Sequence, residues 1–294
     1  MFQGSMVAIV TPMNSDGSLD IKSFKGLLDY HIECKSDGVV VVGTSGEAPT
    51  MDVDEHTYLI KEAVKYIDGR IPVIAGSGAN STREAIFLTK KSKELGADAC
   101  LLITPYYNKP NQNGLIAHYS AIADAVDIDQ ILYNVPSRTA CDLLPSSVSV
   151  LSKHKNIIGI KEAVDDESRI KKLVQISQNA DSNFSVFSGD DPTFMDSMLL
   201  GTHGVISVSA NVSPKSHSEI CYAVKNGDYE KAKSLNEHNL NLYRLLFVES
   251  NPIPVKWILY KMNLIKNAIR LPLMELDETF HEEILSEMIK LKLL

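Results

Sequence analysis

Cysteine is scarce in this chain, with four residues in 294. No two of them are spaced as the CxxC pair that metal and redox sites use, and the eight histidines include no pair with zinc-binding spacing on a helix. We therefore expect isolated thiols in a reducing compartment and chemistry without a metal. The cysteines are Cys34, Cys100, Cys141 and Cys221.

Dense positive charge and long apolar runs are also absent. The 29 lysines and arginines are spread along a chain of net charge −8. This distribution argues against nucleic acid as a partner but suits a small anionic substrate held by one local cation. No apolar run approaches the ~20 residues that span a bilayer, and residues 1–13 lack the pattern of a signal peptide. We expect a cytoplasmic protein with no membrane partner.

The chain instead has eight short apolar runs, which recur at roughly regular intervals along the sequence. Each run is continuous rather than alternating, which is typical of strands covered on both faces. Amphipathic patterns at 21–34, 53–67 and 80–95 lie between runs and predict helices. The runs are Met6–Pro12, Gly38–Thr44, Ile71–Gly76, Ala99–Pro105, Gln130–Pro136, Ile157–Ala163, Phe184–Gly189 and Gly204–Ala210.

Eight strand–helix alternations predict an α/β fold in which a parallel sheet closes into a (β/α)8 TIM barrel. An open doubly wound sheet is the alternative, but it more often carries a glycine-rich phosphate loop after the first strand. TPMNSDG at residues 11–17 is not such a loop. Only helical patterns follow the eighth run. We predict a catalytic barrel over residues 1–226 and a helical extension packed on it over residues 227–294.

Lys161 is the most informative polar residue, because active sites of such barrels lie at the carboxyl ends of the strands. It follows four apolar or small residues, Ile157–Ile160, in a predicted buried strand. Burial disfavours the ammonium and frees a nucleophilic amine, which can form an imine with a ketone. The alternative is a lysine at a strand end whose ammonium reaches solvent.

Several other polar residues follow neighbouring runs, and each also has a plainer interpretation. Tyr133 can shuttle protons or be a core tyrosine with a bonded hydroxyl. Thr44 and Ser45 in GTSGE can hold a carboxylate or serve only as turn residues. Arg138 can grip a carboxylate through paired hydrogen bonds or be a surface charge. Asp191, which precedes a proline, is typical of a helix N-cap rather than a metal ligand.

Nine motifs, taken in order, make the chain resemble the dihydrodipicolinate synthase family of pyruvate-dependent Schiff-base aldolases. Each motif is weak alone, but the ordered set at barrel spacing covers essentially the full length and is highly specific. The motifs are GSMVAIVTPM, GTSGEAPT, IPVIAGSGAN, ITPYYNKPNQNG, LYNVPSRT, GIKEA, SGDD, GVISVSANV and ESNPIPVKW.

The resemblance implies condensation of pyruvate with L-aspartate 4-semialdehyde to 4-hydroxy-tetrahydrodipicolinate, in diaminopimelate and lysine biosynthesis, with no cofactor. Lys161 would form the imine with pyruvate, while Thr44, Tyr133 and Tyr107 would form a hydroxyl relay for protons. Tyr107 would reach into the site of a neighbouring subunit. The expected assembly is a homotetramer built from two tight dimers.

The resemblance also implies the substrate contacts. Ser45 stands where the family commonly has a second threonine, and its hydroxyl would hold the pyruvate carboxylate. Ile206 would contribute its backbone near pyruvate, and Gly189 in SGDD is placed among the substrate-binding residues. Arg138 would bind the carboxylate of aspartate semialdehyde.

Two alternative functions stay open. A sister aldolase, such as N-acetylneuraminate lyase or a keto-deoxy-sugar acid aldolase, is similar at the lysine and the GTSGE-type turn but typically lacks an arginine in the SRT setting. A non-catalytic barrel that only binds a ligand or partner would be expected to have lost part of the catalytic set. All of that set is present, namely Lys161, Tyr133, Thr44 and Tyr107.

A second site is implied as well, at which L-lysine would act as a feedback inhibitor. Val53 stands where lysine-sensitive members often have histidine, and Ala48 where they often have serine. Loss of polar partners should weaken the binding of a zwitterion, so we predict weak or altered inhibition. The residues that match the site are His56, Asn80, Glu84 and Tyr106.

Overall fold

The computed structural model describes residues 2–180 and 183–294. Its eight strands pair in parallel in chain order, and β8 pairs with β1 to close the barrel. The predicted TIM barrel is therefore confirmed, and the open sheet is excluded. The strands are β1 (Gly4–Ala8), β2 (Gly38–Val41), β3 (Val73–Gly76), β4 (Ala99–Ile103), β5 (Asp129–Asn134), β6 (Ile157–Glu162), β7 (Ser185–Ser188) and β8 (Gly204–Ser207).

Helices connect the strands and cover the barrel from outside. Many begin at a side-chain cap: the carboxylates of Asp20 and Asp52 accept backbone N–H bonds from the first turns of their helices, and Ser81 caps the helix predicted from residue 80. The helices are α1 (Ile21–Glu33), α2 (Val53–Ile67), α3 (Thr82–Glu94), α4 (Gln112–Ala125), α5 (Pro136–Thr139), α6 (Pro145–Leu151), α7 (Glu167–Asn179), α8 (Phe194–Leu199), α9 (Pro214–Lys225), α10 (Tyr229–Leu245), α11 (Ile253–Lys261) and α12 (His281–Lys290).

The strands bury side chains on both faces, which is why their sequences are continuous rather than alternating. One set of side chains fills the barrel interior, and it includes Met6, Ile74, Phe187 and Ile206. A larger set fills the layer between the strands and the helices. The interior set reaches up to Tyr133, so the floor of the barrel mouth is apolar and closed to water.

The strands end earlier than the apolar runs predicted. β2 ends at Val41 rather than Thr44, because Val42 takes a left-handed φ of 52° and turns the chain out of the sheet. Thr44 and Ser45 therefore lie in a loop at the barrel mouth, whereas Tyr133 and Lys161 remain within β5 and β6. One 3₁₀ turn, Ala48–Thr50, continues the loop after β2.

The segment after α9 contains three α-helices and no strand, and the structure describes all of it. Leu242 of α10 and Trp257 of α11 share the core layer between the barrel and its helices, and Trp257 stacks on His281 of α12 at 4.4 Å. The end of this segment forms a 3₁₀ turn, Glu278–Phe280, followed directly by α12. The boundary between a barrel of 1–226 and an extension of 227–294 stays a prediction.

The predicted helix N-cap at Asp191 is wrong. Helix α8 is preceded by Thr193, whose backbone N–H donates to the Asp190 carboxylate at 3.2 Å. The Asp191 carboxylate instead accepts backbone N–H bonds from Val208 and Ser209, at 3.2 and 2.8 Å. These two backbone N–H donors, just after β8, hold the Asp191 carboxylate in the interior. None of the described helices is both long and apolar enough to cross a membrane.

Candidate active site

Lys161 lies on the inner side of β6 at the barrel mouth, and its side chain is 3% exposed. Neighbouring strands place Tyr133 and Phe187 in register with it. The ammonium nitrogen sits 4.5 Å from the centre of the Tyr133 ring. The burial is what the sequence predicted, and the alternative in which the ammonium reaches solvent is wrong in this structure.

The surroundings make the Lys161 amine available at moderate pH. Burial lowers the pKa of Lys161 to about 8, from an ordinary value of 10.5. The Asp191 carboxylate opposes this effect by favouring the ammonium, and the Arg138 guanidinium adds to it by repulsion. A pKa near 8 leaves about one lysine in eleven neutral at pH 7, so a nucleophile exists without any added base.

Tyr133 lies at the rim of the barrel interior, next to Lys161 and Thr44. Burial raises the pKa of its phenol, while the nearby Arg138 charge and a hydrogen bond with Thr44 act in the opposite direction. A phenol that stays protonated and is hydrogen-bonded to a hydroxyl can donate a proton and receive it back. The structure therefore brings together three residues of the predicted catalytic set, Lys161, Tyr133 and Thr44.

Ser45 is buried in the turn after β2 and is tied to a distant part of the chain. The amide of Asn251 donates to the Ser45 hydroxyl at 3.0 Å. The backbone of the turn is also tethered, because the Thr11 hydroxyl donates to the Gly46 carbonyl at 2.8 Å. These contacts hold the hydroxyl and the N–H groups of the turn at one side of the cavity.

Arg138 lies in the short helix α5 and is exposed at the cavity rim. One guanidinium nitrogen lies 3.5 Å from the backbone carbonyl of Asn251, and no carboxylate among the described residues forms an ion pair with it. The Arg138 charge lowers the pKa of both Lys161 and Tyr133. An unpaired guanidinium at the mouth of a cavity is suited to a carboxylate that comes from outside.

The cavity at the barrel mouth has a volume of about 780 Å³, ample for two small substrates. It joins the candidate site residues from several strands with residues 247–251 of the C-terminal segment. Its polar lining comprises Thr44, Ser45, Tyr133, Ser137, Arg138, Lys161, Asp190, Glu249, Ser250 and Asn251.

Gly189 and Ile206 take different places around Lys161. A Cβ added to Gly189 would lie 2.8 Å from Cε of Lys161, so glycine makes room for the lysine side chain. Ile206 is fully buried in the apolar set that fills the barrel interior. Gly189 lines the cavity, whereas Ile206 supports it from within the barrel.

Tyr107 is separated from the rest of the predicted catalytic set. It has a left-handed φ of 74°, and 90% of the residue is exposed. It does not line the cavity that contains Lys161 in the same chain. A large aromatic side chain held out at the surface in a strained backbone conformation is available to another molecule.

Sequence reasoning missed two buried acids that flank Lys161. Asp191 is 2% exposed, and its Oδ1 has no hydrogen-bond partner among the described residues. Glu162, on the opposite side of β6, accepts bonds from Asn134 at 2.9 Å and from Arg169 at 2.7 Å. The motifs SGDD and GIKEA contain both acids, but nothing in them reveals the partners, which come from other elements.

A second cavity, of about 380 Å³, lies beside the first and shares Thr44, Tyr133 and Arg138 with it. Three of the four residues predicted for lysine binding line it, and Asn80 contacts it indirectly by donating from its amide to the Tyr106 carbonyl at 3.2 Å. Ala48 and Val53 contribute apolar surface. The three predicted residues are His56, Glu84 and Tyr106.

The fold and the site together define an α/β barrel with a buried, partly neutral lysine at the carboxyl ends of its strands, the arrangement of lyases that act through an imine. A family model described as the dihydrodipicolinate synthetase family matches residues 1–291. The chain belongs to this family, and the predicted resemblance is confirmed.

Similar proteins agree with this assignment. The chain is 54% identical over 282 residues to a 4-hydroxy-tetrahydrodipicolinate synthase of Pseudomonas syringae pv. syringae, with 96% of each chain covered. A solved chloride-inhibited dihydrodipicolinate synthase from Acinetobacter baumannii, complexed with pyruvate, is 50% identical with a TM-score of 0.96 and full coverage of both chains. A dihydrodipicolinate synthase from Cyanidioschyzon merolae with lysine bound is 34% identical, with a TM-score of 0.95, and covers 100% of this chain and 99% of that one.

Proposed function

We propose that the chain condenses pyruvate with L-aspartate 4-semialdehyde to give 4-hydroxy-tetrahydrodipicolinate, in the pathway to diaminopimelate and lysine. The observation that carries this proposal is the buried Lys161, with a pKa of about 8, in a cavity that also holds Ser45 and Arg138. The similarity to 4-hydroxy-tetrahydrodipicolinate synthases over nearly the whole chain supports it. No organic cofactor is needed for the chemistry.

The reaction begins with the neutral Lys161 amine, which attacks the pyruvate ketone. Water leaves, and a protonated imine forms that draws electrons from the adjacent methyl group. A methyl proton is then lost and an enamine results. Tyr133, hydrogen-bonded to Thr44 and next to the Lys161 nitrogen, supplies and receives the protons of these steps.

The carboxylate of pyruvate binds at the turn after β2. Ser45 offers its hydroxyl there, and the turn offers backbone N–H groups. Gly189 leaves the space in which Lys161 extends toward the ketone, and the backbone at Ile206 closes the inner side of the pocket. The Ser45 hydroxyl replaces that of the threonine common in the family, so the contact is kept.

The second substrate enters from the cavity mouth, where Arg138 binds its carboxylate. The enamine carbon attacks the aldehyde of aspartate semialdehyde and forms the new carbon–carbon bond. The amine of the substrate then attacks the imine carbon, and Lys161 leaves as the free amine. Ring closure in this way releases 4-hydroxy-tetrahydrodipicolinate and restores the enzyme.

Tyr107 completes the hydroxyl relay in a neighbouring subunit. Its 90% exposure in a single chain and its absence from the cavity of its own chain are the observations behind this assignment. The smallest complete catalytic unit is then a dimer, and the assembly is a homotetramer of two dimers. Sedimentation at several protein concentrations tests the assembly, and a monomer with full activity would contradict it.

Trapping of the imine tests the central step. Incubation with pyruvate and borohydride should add the pyruvate carbon skeleton to one lysine, and peptide mass analysis should locate it at Lys161. Lys161→Met is the matched variant and should take up nothing. Label at any other lysine would exclude the mechanism.

A coupled assay with aspartate semialdehyde separates this function from the alternatives. Turnover with pyruvate and aspartate semialdehyde supports the synthase. Cleavage of N-acetylneuraminate or of a keto-deoxy-sugar acid in its place supports a sister aldolase, and the absence of any turnover supports a binding protein. Arg138→Met should raise the KM for aspartate semialdehyde more than the KM for pyruvate, because it removes the partner of only one substrate.

L-lysine is the proposed ligand of the second cavity, where His56, Glu84 and Tyr106 provide polar groups and Asn80 braces the Tyr106 backbone. The similar enzyme from Cyanidioschyzon merolae has lysine bound. Val53 and Ala48 offer no hydrogen bonds, so inhibition should be weak. Val53→His together with Ala48→Ser should lower the lysine concentration that halves the activity, and strong inhibition of the wild type would contradict the proposal.

A further inference from the structure

A lysine of the C-terminal segment forms a buried ion pair at the catalytic end of the barrel. Lys256 of α11 is 3% exposed, and its ammonium lies 2.5 Å from Oε1 of Glu47, which is 1% exposed. The backbone N–H of Arg270 donates to the other Glu47 oxygen at 3.1 Å. The pair joins residues 209 positions apart in the chain.

Fold stability alone does not account for this ion pair. Desolvation of two charges consumes most of their attraction, and well-packed apolar residues often serve equally well in such places. Burial lowers the pKa of Lys256, and the Glu47 carboxylate opposes that shift. A charge pair kept under these conditions is better explained by what it positions.

Glu47 ends the turn that carries Thr44 and Ser45. Its φ of 57° lies in the left-handed region, as does the φ of 52° at Val42 where the turn begins, and both residues have side chains that disfavour this conformation. Two backbone bonds close the turn over these residues, from the Glu47 N–H to the Thr44 carbonyl at 3.1 Å and from the Ala48 N–H to the Gly43 carbonyl at 3.3 Å. A turn strained at both ends needs contacts from outside to hold its shape.

We propose that Lys256 is a positioning residue for the turn that binds the pyruvate carboxylate, acting through its buried ion pair with Glu47. This inference rests on the proposed function. Asn251, in the same C-terminal segment, holds the Ser45 hydroxyl at 3.0 Å and so fixes the other half of the turn. The C-terminal segment is thereby part of the pyruvate site, although Lys256 touches no substrate.

Replacement of Lys256 should therefore act on pyruvate binding. In Lys256→Met the side chain keeps its length, but the buried Glu47 carboxylate loses its partner and turns outward or takes a proton. The KM for pyruvate should rise about tenfold or more, which is the effect of one charge-assisted hydrogen bond. The kcat and the KM for aspartate semialdehyde should change by less than about threefold, because Lys161 and Arg138 keep their places.

Two further variants separate positioning from general destabilisation. Lys256→Arg keeps the charge and should restore most of the affinity for pyruvate. Lys261→Met, on the same helix, removes a cation that lies 5.0 Å from the Trp257 ring and has no contact with the turn, so the thermal midpoint falls while the KM for pyruvate stays. The apparent affinity for pyruvate comes from the rate of imine trapping at graded pyruvate concentrations.

Different results would contradict the positioning role of Lys256 and the proposed function. A folded Lys256→Met protein whose KM for pyruvate stays within about twofold of wild type overturns the proposal. If this variant does not fold, Glu47→Gln takes its place, because the amide keeps the volume and can still accept from Arg270, and an unchanged KM there overturns the proposal equally. Failure of the wild type to form an imine with pyruvate contradicts the proposed function itself.

Discussion

Burial and two charged neighbours set the pKa of Lys161, and their effects have different signs. Burial and the Arg138 guanidinium lower its pKa, and the Asp191 carboxylate raises it, with a net value of about 8. A lower pKa gives more free amine but a weaker nucleophile, and a higher one leaves the amine protonated. The balance at this site is therefore a property of the neighbours rather than of the lysine.

Asp191→Asn should move the activity toward lower pH. The amide oxygen can still accept the N–H bonds from Val208 and Ser209, while the negative charge near Lys161 is lost. The pKa of Lys161 then falls, and the rise of kcat/KM for pyruvate with pH should begin at a lower pH. At pH 7 the gain is limited to about tenfold, since about one lysine in eleven is neutral in the wild type.

Arg138→Met is the counterpart, because it removes the charge that repels the ammonium. The rise of kcat/KM for pyruvate with pH should therefore begin at a higher pH than in the wild type. The profile is measured as kcat/KM for pyruvate, which reports the free enzyme. A shift in the same direction for both variants would show that Lys161 does not control this rise.

Gly189→Ala should abolish most imine formation while the fold survives. The added methyl would lie 2.8 Å from Cε of Lys161 and 3.1 Å from the Ala163 side chain, so the lysine must leave its position. We expect the rate of pyruvate trapping to fall by at least about 100-fold, as for small displacements of reacting groups. Gly26→Ala is the control, since its Cβ meets nothing within 4 Å. Equal rates in both variants would contradict the steric argument.

The residues of the site were predictable from sequence to the extent that their chemistry is local. Lys161 stands out because a cation inside an apolar run has few explanations. Asp191 was misassigned as a helix cap, since a proline after an acid is a local signal, whereas its real partners, Val208 and Ser209, lie 17 and 18 residues away. Partners brought in by closure of the barrel leave no pattern in the sequence.

At the scale of elements, β6 carries different functions on its two sides. Lys161 points into the barrel mouth, and Glu162, next in the chain, points away from it toward α7. The Glu162 carboxylate is bonded to Asn134 of β5 and to Arg169 of α7, and Arg169 also pairs with Asp142 at 2.6 Å. This network fixes the end of β6 against its neighbours and so limits where Lys161 can lie.

Arg169→Met should lower the free energy of unfolding by about 3–5 kcal/mol, because it leaves the fully buried Glu162 carboxylate without its cation. Urea unfolding at pH 7.5 measures the change. Lys91→Met is the control: its ion pair with Glu94 is half exposed and contributes at most about 1 kcal/mol. A loss below about 1 kcal/mol for Arg169→Met would mean that the bonds from Asn134 and from the Val164 backbone N–H satisfy Glu162.

Strands and helices could be told apart in the sequence because they are buried differently. A strand buried on both faces gives a continuous apolar run, whereas a helix buried on one face gives an amphipathic pattern. The order of eight alternating units then implied closure. The ends of the strands were not predictable from the sequence. β2, for example, ends at Val41, inside an unbroken apolar run. The left-handed turn at Val42 ends the strand there, and the residues that hold the loop after it, Asn251 at Ser45 and Lys256 at Glu47, lie more than 200 positions away in the chain.

At the scale of the whole molecule, the helices around the barrel carry buried histidines whose pKa is lowered by burial, namely His31, His56, His118 and His217. His31 is fully buried, with one ring nitrogen 3.0 Å from the Ser36 hydroxyl and the other without a partner among the described residues. Burial, and to a smaller degree the nearby His217, lowers its pKa to about 3. Each such histidine links the stability of the fold to pH.

The sign of this linkage follows from the two pKa values of His31. The unfolded chain protonates it near pH 6.5 and the folded chain only near 3, so the unfolded state binds more protons between these values. The contribution of His31 is complete above about pH 6.5 and is lost progressively as the pH falls, by about 2 kcal/mol at pH 5. The fold should therefore weaken on mild acidification, well before most carboxylates protonate.

His31→Gln should flatten this dependence. We expect the difference in unfolding free energy between pH 7.5 and pH 5.0 to shrink by about 2 kcal/mol relative to wild type, even where the variant is less stable at both values. Urea unfolding at a fixed protein concentration measures it, because self-association would otherwise shift the midpoint. His238→Gln, at an exposed position, should leave the difference unchanged. An equal pH dependence in wild type and His31→Gln would show that His31 does not link the stability of the fold to pH.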